Sequence, residues 1–529
     1  MKNSKFTILS IITGILILGI SFPAENAFAI TETQKITASD VAAGDQFGYS
    51  VAISGNTAIV GKPTGGSSSG SAYIFEFVDS SWTQTAKLTS SDAGDGGAFG
   101  ASVAISGDTV IVGDRGADGL FGSGAAYIFE KPISGWTTAT ETAKLTASDG
   151  AMGDQVGASV SISGDTAIVG AGNDDDAGED SGSAYIFVKP MSGWIDATQT
   201  AKLTASDGAS QDLFGSSVAI SGDTAIVGAW KDGVGKGSAY IFVKPMSGWI
   251  DATQTAKLTA SDGISFDLFG LSVAISGDTA IVGSPFGDGA DFDTGSAYIF
   301  VKPMSGWTTT TETAELTASD GAVNNVFGSV SISGDTTIVG AEGDAALSQF
   351  GAAYIFEKPI SGWTTTTETT KLTASDGALG DRFGSSVGIS SSAIVGAPLK
   401  DDLGSSDSGC AYIFNLSTSD EGGTCAVPED GDDDFDGVPN STDNCPSDSN
   451  PSQLDMDDDG TGDACDLENR ITSDVTLTQS TTSLGDVIVQ GGAVLTVNAG
   501  VNLDIDFTSN NLFVTSGSGV LVKAGASIS

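Results

Sequence analysis

The sequence predicts an all-β fold: a seven-bladed β-propeller followed by an acidic spacer and a small β-rich tail. Two observations predict the propeller. Seven near-copies of a segment of roughly 56 residues fill positions 33–416. Within each copy, Gly, Ser and Asp separate four short β-rich runs, a pattern typical of antiparallel sheets. Every copy has a Tyr-Ile-Phe strand, whose tyrosines are Tyr73, Tyr127, Tyr185, Tyr240, Tyr298, Tyr354 and Tyr412. Such a repeat buries its faces only against neighbouring repeats, which favours a closed ring.

The order of the strands predicts how the ring closes. A Lys-Leu-Thr type strand follows each Ser-Gly-Trp turn, and another precedes the first copy at Lys35. No such strand follows the last Tyr-Ile-Phe strand, at Tyr412. If each blade takes its fourth strand from the chain after Ser-Gly-Trp, only residues 35–40 can complete the seventh blade. We therefore expect the N-terminal strand to close the ring and hide its sheet edges.

The repeat, residues 30–416, resembles the FG-GAP repeat of integrin α-subunit propellers and their microbial relatives. The resemblance rests on Phe214-Gly215-Ser216-Ser217-Val218-Ala219-Ile220, on Ile226-Val227-Gly228-Ala229, and on Gly396-Ala397-Pro398. Many members of that family carry an Asp-x-Asp-x-Asp-Gly calcium loop between the first two strands, where this chain has Ser-Gly-Asp-Thr. Because too few oxygens remain for a calcium shell, these aspartates are predicted to be turn residues. They are Asp108, Asp165, Asp223, Asp278 and Asp335.

Residues 1–29 have the pattern of a secretory signal. Lys2 and Lys5 precede an apolar stretch, residues 6–22, and Ala27-Phe28-Ala29 matches the small-x-small cleavage pattern. An uncleaved signal anchor is the alternative, because the stretch approaches the length of a membrane span. We expect a secreted or cell-surface protein with no membrane span after cleavage.

The composition excludes several classes of function. A net charge of −46 makes nucleic acid and anionic membranes poor partners. The absence of histidine excludes Ser-His-Asp and Cys-His nucleophile systems and imidazole zinc sites. Paired carboxylates of the glycosidase type remain possible, but no pair stands out. We therefore predict no catalytic residue and no enzyme activity.

After a linker, residues 417–428, an acidic segment at 429–467 is predicted to bind Ca2+. Its oxygen-bearing residues fall twice at positions 1, 3, 5, 7, 9 and 12 of an EF-hand-like loop, with a glycine at position 6. The first set is Asp432, Asp434, Asp436, Val438, Asn440 and Asp443; the second is Asp455, Asp457, Asp459, Thr461, Asp463 and Asp466. The residue at position 7 contributes its backbone carbonyl. A disordered acidic linker is the alternative.

This segment also resembles a thrombospondin type 3 repeat. The matching residues are Asp443-Asn444-Cys445-Pro446, Asn450-Pro451-Ser452-Gln453 and Gly462-Asp463-Ala464-Cys465-Asp466. Repeats of that family wrap calcium ions with little hydrophobic core and link successive cysteines. The resemblance implies a disulfide between Cys445 and Cys465, which leaves Cys410 for Cys425. The four cysteines by themselves allow three pairings.

The tail, residues 468–529, has short apolar triplets that recur every 8 or 9 residues. This spacing suits a small β-solenoid or a tight meander, and the sequence does not separate the two.

The ligand site is predicted on one face of the propeller. The loops from second to third strand, and from fourth strand to the next blade, share that face and differ most among the seven copies. Variation over a constant scaffold is typical of a recognition surface, and also of unconstrained loops. The candidates are Trp230, Asp174, Asp175 and Asp176, whereas the six tryptophans of the Ser-Gly-Trp turns are expected to pack inside. We predict an adhesion or interaction protein that binds a protein or glycan; a carboxylate-based polysaccharide-degrading enzyme and a structural envelope component are the alternatives.

Overall fold

The computed structural model of the protein describes residues 30, 32–63, 70–92, 97–117, 122–289, 293–343, 350–401 and 406–416, and the backbone of nine strands between 468 and 528. The chain divides into two units, Met1–Thr418 and Ser419–Ser529. Within the described residues, no helix has the length and apolar character needed to cross a membrane.

Seven antiparallel sheets, blades 1 to 7, form the first unit and confirm the predicted seven-bladed propeller. Their alternating Ser-Val-Ala-Ile-Ser sequence makes the first strands half-buried, with Val and Ile turned into the core. The second and third strands are buried almost throughout because they lie between neighbouring blades. The first strands are Ser50–Ser54, Ser102–Ser106, Ser159–Ser163, Ser217–Ser221, Ser272–Ser276, Phe327–Ser333 and Ser386–Ile389. The second strands are Thr57–Lys62, Thr109–Asp114, Thr166–Ala171, Thr224–Ala229, Thr279–Ser284, Thr336–Ala341 and Ser392–Ala397.

The outer half of each blade consists of a third strand and a fourth strand. The third strands are Ser71–Val78, Ala125–Glu130, Ser183–Val188, Ser238–Val243, Ser296–Val301, Ala352–Glu357 and Cys410–Asn415. The fourth strands of blades 1 to 6 are Ser81–Leu88, Ala143–Thr146, Ala201–Thr204, Ala256–Leu258, Ala314–Thr317 and Thr370–Leu372. Short parallel strands from the following blade cover three of these edges: Ala197–Thr198, Ala252–Thr253 and Thr366–Thr367. One helical turn, Asp232–Gly235, lies between the second and third strands of blade 4.

The N-terminal strand, Glu32–Ile36, is the fourth strand of blade 7. It pairs antiparallel with the third strand of that blade, with Lys35 opposite Tyr412 and Ile36 opposite Ala411. The predicted ring closure is therefore confirmed, although the strand begins three residues earlier than expected and ends before Asp40.

The Phe-Gly and Ile-Val-Gly sequences of the repeat are the places where adjacent blades touch. Phe99 packs edge-on against Tyr127 and Phe129 of its own blade, in a cluster that includes residues of blade 1. A Cβ atom on Gly113 would lie 2.0 Å from the carbonyl oxygen of Gly157 in the next blade. Only glycine allows this approach, so the same two motifs recur around the ring.

The first strands line a narrow central channel of about 270 Å³. Small side chains face the axis, such as Ala52 and Ser161, with Gly388 in the seventh blade. Serines at the start of these strands link the blades: the Ser50 hydroxyl accepts a hydrogen bond from the Val103 amide at 3.0 Å.

The ring has two faces with different connections. The hairpin face carries the links between first and second strands and between third and fourth strands; in blade 2, the Lys131 amide donates to the Asp108 carbonyl there at 2.8 Å. The loop face carries the links from second to third strand and from the fourth strand to the next blade.

The nine strands of the second unit pair in parallel, in three sets of three. The sets are Glu468–Ile471, Asp486–Val489 and Leu512–Val514; Val475–Leu477, Val494–Val497 and Gly519–Val522; and Thr481–Ser483, Asn502–Ile505 and Ser527–Ile528. The segments that join them lie outside the described residues, so the predicted solenoid stays a prediction. The predicted linker, both sets of calcium ligands, and Cys425, Cys445 and Cys465 also lie outside the described residues.

Candidate functional site

On the loop face, each blade carries a buried tyrosine whose hydroxyl donates to an aspartate. The tyrosine lies in the third strand and is at most 1% exposed. In six blades the aspartate comes from the Ala-Ser-Asp or Ser-Ser-Asp sequence that precedes the blade; in blade 4 it comes from the helical turn. The pairs are Tyr73–Asp40 at 2.7 Å, Tyr127–Asp92 at 2.9 Å, Tyr185–Asp149 at 3.1 Å, Tyr240–Asp232 at 3.3 Å, Tyr298–Asp262 at 3.1 Å, Tyr354–Asp320 at 3.0 Å and Tyr412–Asp376 at 2.6 Å.

A lysine of the fourth strand completes the cluster in six of the seven blades. In blade 2, Lys144 lies opposite Tyr127 in the sheet register and donates to Asp92 at 2.5 Å. Its ammonium group also lies 5.7 Å from the centre of the tyrosine ring, a cation–π distance. The equivalents are Lys87, Lys202, Lys257 and Lys371, and in blade 7 Lys35 from the N-terminal strand.

These contacts set the protonation state of the aspartates. Burial by itself would raise the pKa of Asp92, but the hydrogen bonds from Lys144 and Tyr127 outweigh it, and the pKa lies below its usual value. Burial, followed by the carboxylate of Asp40, raises the pKa of Tyr73 far above its ordinary value. The aspartate is therefore ionised and paired, and the tyrosine neutral, which favours a structural link rather than acid–base chemistry.

Among the described residues, the one group of three carboxylates close enough together to hold a metal ion lies in blade 3. Asp149, Asp174 and Asp176 bring oxygen atoms within 4.8 Å of one another. The ammonium group of Lys202 contacts all three, at 2.6 Å from Asp149 and 3.3 Å from Asp174, and closely at Asp176. The protein's own cation thus lies where a metal ion would bind.

Blade 5 departs from this pattern because Glu315 replaces the lysine. Its carboxylate accepts a hydrogen bond from Ser296 at 2.8 Å. Burial raises the pKa of Glu315; the Ser296 hydrogen bond lowers it in part, and the charges of Asp262 and Glu312 raise it further. Among the described residues, no lysine or arginine forms an ion pair with Glu315 or Asp262. Blade 5 is therefore the one cluster in which carboxylates meet without an internal ammonium group in the described part of the chain.

Two adjoining cavities open on the loop face between blades 5, 6 and 7. The larger, about 550 Å³, is lined by Phe286, Val326 and Leu399, with Arg382 and Glu342 at its polar side. The smaller, about 320 Å³, shares Val326 and Glu342. Arg382 approaches Glu342 only to 4.0 Å. Burial raises the pKa of Glu342, and Arg382 offsets this only in part.

Exposed apolar side chains also occur in the loop-face connections of blades 5, 6 and 7. Phe266 and Phe350 are 70% and 61% exposed, and Ile264 and Leu379 are also exposed. Exposed apolar residues on a face that also carries cavities are typical of a binding surface.

The predicted ligand residues fall in different settings. Trp230 is half-buried, and the ammonium group of Lys231 lies 4.8 Å from its ring. Asp174 is 3% exposed and accepts from the Tyr185 hydroxyl at 2.7 Å, so it faces inward. Asp175 and Asp176 are exposed. The structure does not bring Trp230 and these aspartates to the cavities.

Other sequence predictions concern packing. The five tryptophans of the Ser-Gly-Trp turns and Trp82, at the same repeat position, are 5–7% exposed, as expected. The hairpin aspartates lie in tight turns as predicted, and they also pair with lysines; Asp335 binds Lys358 at 2.6 Å. Cys410 is buried in the third strand of blade 7, while its predicted partner lies outside the described residues. The sequence did carry the signal for the tyrosine clusters: lysine recurs before Leu-Thr in every copy except at Glu315.

The comparison with known families agrees with this geometry. The FG-GAP repeat matches the chain seven times, at residues 30–75, 82–129, 139–187, 197–242, 252–300, 310–356 and 366–414. Each match starts in or near a fourth strand and ends in the third strand of the next blade, which is the phase that ring closure requires. No curated protein matches the sequence. Because these matches cover more than half of the chain, the protein belongs to the FG-GAP repeat family.

Proposed function

We propose that the protein is a secreted or cell-surface adhesion protein whose loop face binds a protein or a glycan. The FG-GAP propeller is a fold of the interaction and adhesion type, which supports this class. The observation that carries the proposal is the pair of cavities between blades 5, 6 and 7, on a face that also carries exposed apolar residues.

The residues that line the larger cavity indicate which class of ligand it binds. Its volume of about 550 Å³ lies in the range of small-ligand sites. Phe286, Val326 and Leu399 offer apolar contact, while Asn324 and Arg382 offer hydrogen-bond donors. A sugar residue or an extended peptide side chain matches this mixture of apolar surface and donors. Arg382 gives the site a positive charge that favours a ligand carrying a carboxylate.

The alternative of a polysaccharide-degrading enzyme needs two carboxylates on either side of the scissile bond. Among the described residues that line the two cavities, Glu342 is the one carboxylate. This favours binding over hydrolysis.

The acidic spacer is proposed to bind Ca2+ through the two sets of oxygen ligands in residues 432–443 and 455–466. Its role would be to stiffen the connection between the propeller and the tail, with the Cys445–Cys465 disulfide as a further link. The tail is proposed to be a small β-solenoid, which the parallel strand pairing supports.

The test is binding of the chain without residues 1–29 to glycan and protein arrays, in Ca2+ and in chelator. Arg382→Gln is the site variant, and Arg115→Gln, in the second-to-third-strand loop of blade 2, is the matched control. We expect to find a ligand whose affinity falls at least about tenfold in R382Q, because one hydrogen bond from a charged group is lost. Its affinity should be unchanged in R115Q. Equal effects of the two variants, no ligand, or turnover of a polysaccharide would each contradict the proposal.

A further inference from the structure

The hairpin face carries a series of protruding apolar side chains that the loop-face function does not use. Five successive blades, 2 to 6, each present one of them in the turn between the third and fourth strands. These tip residues are Ile133, Met191, Met246, Met304 and Ile360. Their exposure is 107–111%, above that of a residue in an extended chain, so each side chain stands clear of the surface.

The turns that hold the tip residues are well supported. In blade 2, Pro132 fixes the backbone before the tip, and the Gly135 amide donates to the Pro132 carbonyl at 2.8 Å. The next residue, Trp136, is 7% exposed and anchors the turn in the core. The same hydrogen bond recurs in the other four blades, for example from Gly193 to Pro190 at 2.9 Å.

The tip residues lie in one plane. Each occupies the same position of its blade, and the blades are related by rotation about the ring axis. The tips therefore form an arc over five of the seven blades, all directed to the same side. Blade 1 interrupts the arc because a two-residue turn, Asp79-Ser80, joins its third and fourth strands.

Each tip residue has an ion pair beside it. A lysine two residues before each tip pairs with the aspartate of the first hairpin: Lys302 with Asp278 at 2.8 Å, and Lys358 with Asp335 at 2.6 Å. In blades 2 and 3, a glutamate of the preceding blade adds a second partner, such as Glu76 to Lys131 at 3.1 Å.

Apolar residues take the place of that glutamate in blades 3 to 5, whereas blade 6 has Glu357 there. Val188, Val243 and Val301 occupy the positions equivalent to Glu76 at the ends of their strands and are 38–40% exposed. The lysines beside the tips of blades 4 to 6 thus each meet one aspartate and a valine of the preceding blade, and Glu357 adds an exposed negative charge to blade 6.

We propose that this face docks on an uncharged lipid surface, with the tip residues inserted between the headgroups. Isolated side chains that protrude from a flat face would hold a rigid protein partner away and leave gaps around each tip, whereas fluid lipid closes around them. The net negative charge of the chain disfavours an anionic membrane, whereas a zwitterionic membrane has no net charge to repel it. The lysines beside the tips suit the phosphate level of such a surface.

The experiment is flotation of the chain without residues 1–29 with vesicles of pure phosphatidylcholine. The test variant replaces all five tip residues by serine: I133S, M191S, M246S, M304S and I360S. The matched control replaces five exposed apolar residues of the loop face by serine: V234S, I264S, F266S, F350S and L379S. We expect the unmodified chain to float, the tip variant to lose at least tenfold in partition coefficient, and the control to float like the unmodified chain.

Three outcomes would overturn the proposal. The unmodified chain does not float with phosphatidylcholine; or it floats only with anionic vesicles; or the tip variant floats as well as the unmodified chain. Sedimentation velocity on the same samples identifies the competing occupant, because self-association that the tip variant abolishes, without vesicle binding, would assign this face to a second copy of the chain.

Discussion

The two faces of the propeller differ in what varies. On the loop face, the connections change from blade to blade, cavities open between blades 5 and 7, and carboxylate clusters hold half-buried lysines such as Lys202. On the hairpin face, the Ser-Gly-Asp-Thr and Lys-Pro-x-Ser-Gly-Trp turns repeat with little change, and the ion pairs are largely exposed. A variable face suits one specific ligand, whereas a repeated face suits a partner that looks the same at every blade. Lysine–aspartate ion pairs are therefore expected to contribute differently to the free energy of unfolding on the two faces.

The largest expected effect comes from reversing one lysine on the loop face. Lys202→Glu would add a carboxylate to the group of Asp149, Asp174 and Asp176, of which Asp174 is only 3% exposed. We expect the free energy of unfolding to fall by about 3–5 kcal/mol, as for the loss of one partner of a buried ion pair. Urea unfolding followed by tryptophan fluorescence reports on the propeller, because all seven tryptophans lie there.

The same substitution on the hairpin face is the control. Lys302 pairs with Asp278, and their side chains are 35% and 69% exposed. Lys302→Glu should change the free energy of unfolding by only about 0.5 kcal/mol, since exposed ion pairs contribute little. Equal losses in K202E and K302E would remove the distinction between the faces.

A smaller effect, of opposite sign, is expected in blade 5. Glu315→Lys would supply the ammonium group that six other blades have, next to Asp262 and the ring of Tyr298. We expect a gain of about 1 kcal/mol in the free energy of unfolding, discounted for the partial exposure of the site. Glu315→Gln, which removes the charge without adding a cation, should give part of that gain. Loss of stability in E315K would mean that blade 5 has rearranged around its glutamate.

The pH dependence separates blade 5 from blade 3. Because the pKa of Glu315 is raised on folding, its ionised form destabilises the native state. The advantage of E315Q over the unmodified chain should be present at neutral pH, shrink as the pH falls through the raised pKa, and vanish below about 4.3, the value for an unfolded glutamate.

Asp149 should behave in the opposite way. Burial raises the pKa of Asp149, but the hydrogen bond and the charge of Lys202 lower it by more than burial raises it. The pKa in the folded state therefore lies below the pKa in the unfolded state. The stabilisation is present above the unfolded value of about 3.9 and is lost as the pH falls through the folded value. Asp149→Asn should therefore be destabilising at neutral pH and lose its effect in that acidic window. Urea midpoints of D149N and E315Q at successive pH values measure both trends, and a common trend would contradict the difference between the blades.

Much of the fold could be predicted from the sequence, because the seven copies show the order of the four strands and where each copy begins and ends. The extra Lys-Leu-Thr strand at Lys35 was enough to predict ring closure, and the Ser-Gly-Trp tryptophans to predict packing. The tyrosine clusters were not predicted, since Tyr127, Lys144 and Asp92 are far apart in sequence and only the strand register brings them together. The cavities depend on three blades at once, so no single repeat carries a signal for Arg382 or Glu342. The tip residues were not predicted for another reason. A methionine such as Met191, between Pro and Ser-Gly-Trp, is of a residue type that is common in protein cores. Only the conformation of the turn shows that its side chain points outward.

The most direct test of the division between the two faces is methionine oxidation, because the chain carries its own control. Met191, Met246 and Met304 are tip residues, whereas Met152 lies on the loop face and is 78% exposed. The rates of oxidation by hydrogen peroxide are measured by mass spectrometry with and without phosphatidylcholine vesicles. The account predicts that vesicles slow the oxidation of the three tip methionines and leave the rate at Met152 unchanged. The account would be contradicted if vesicles left the oxidation rates of the three tip methionines unchanged, or if they slowed the oxidation of Met152 alone.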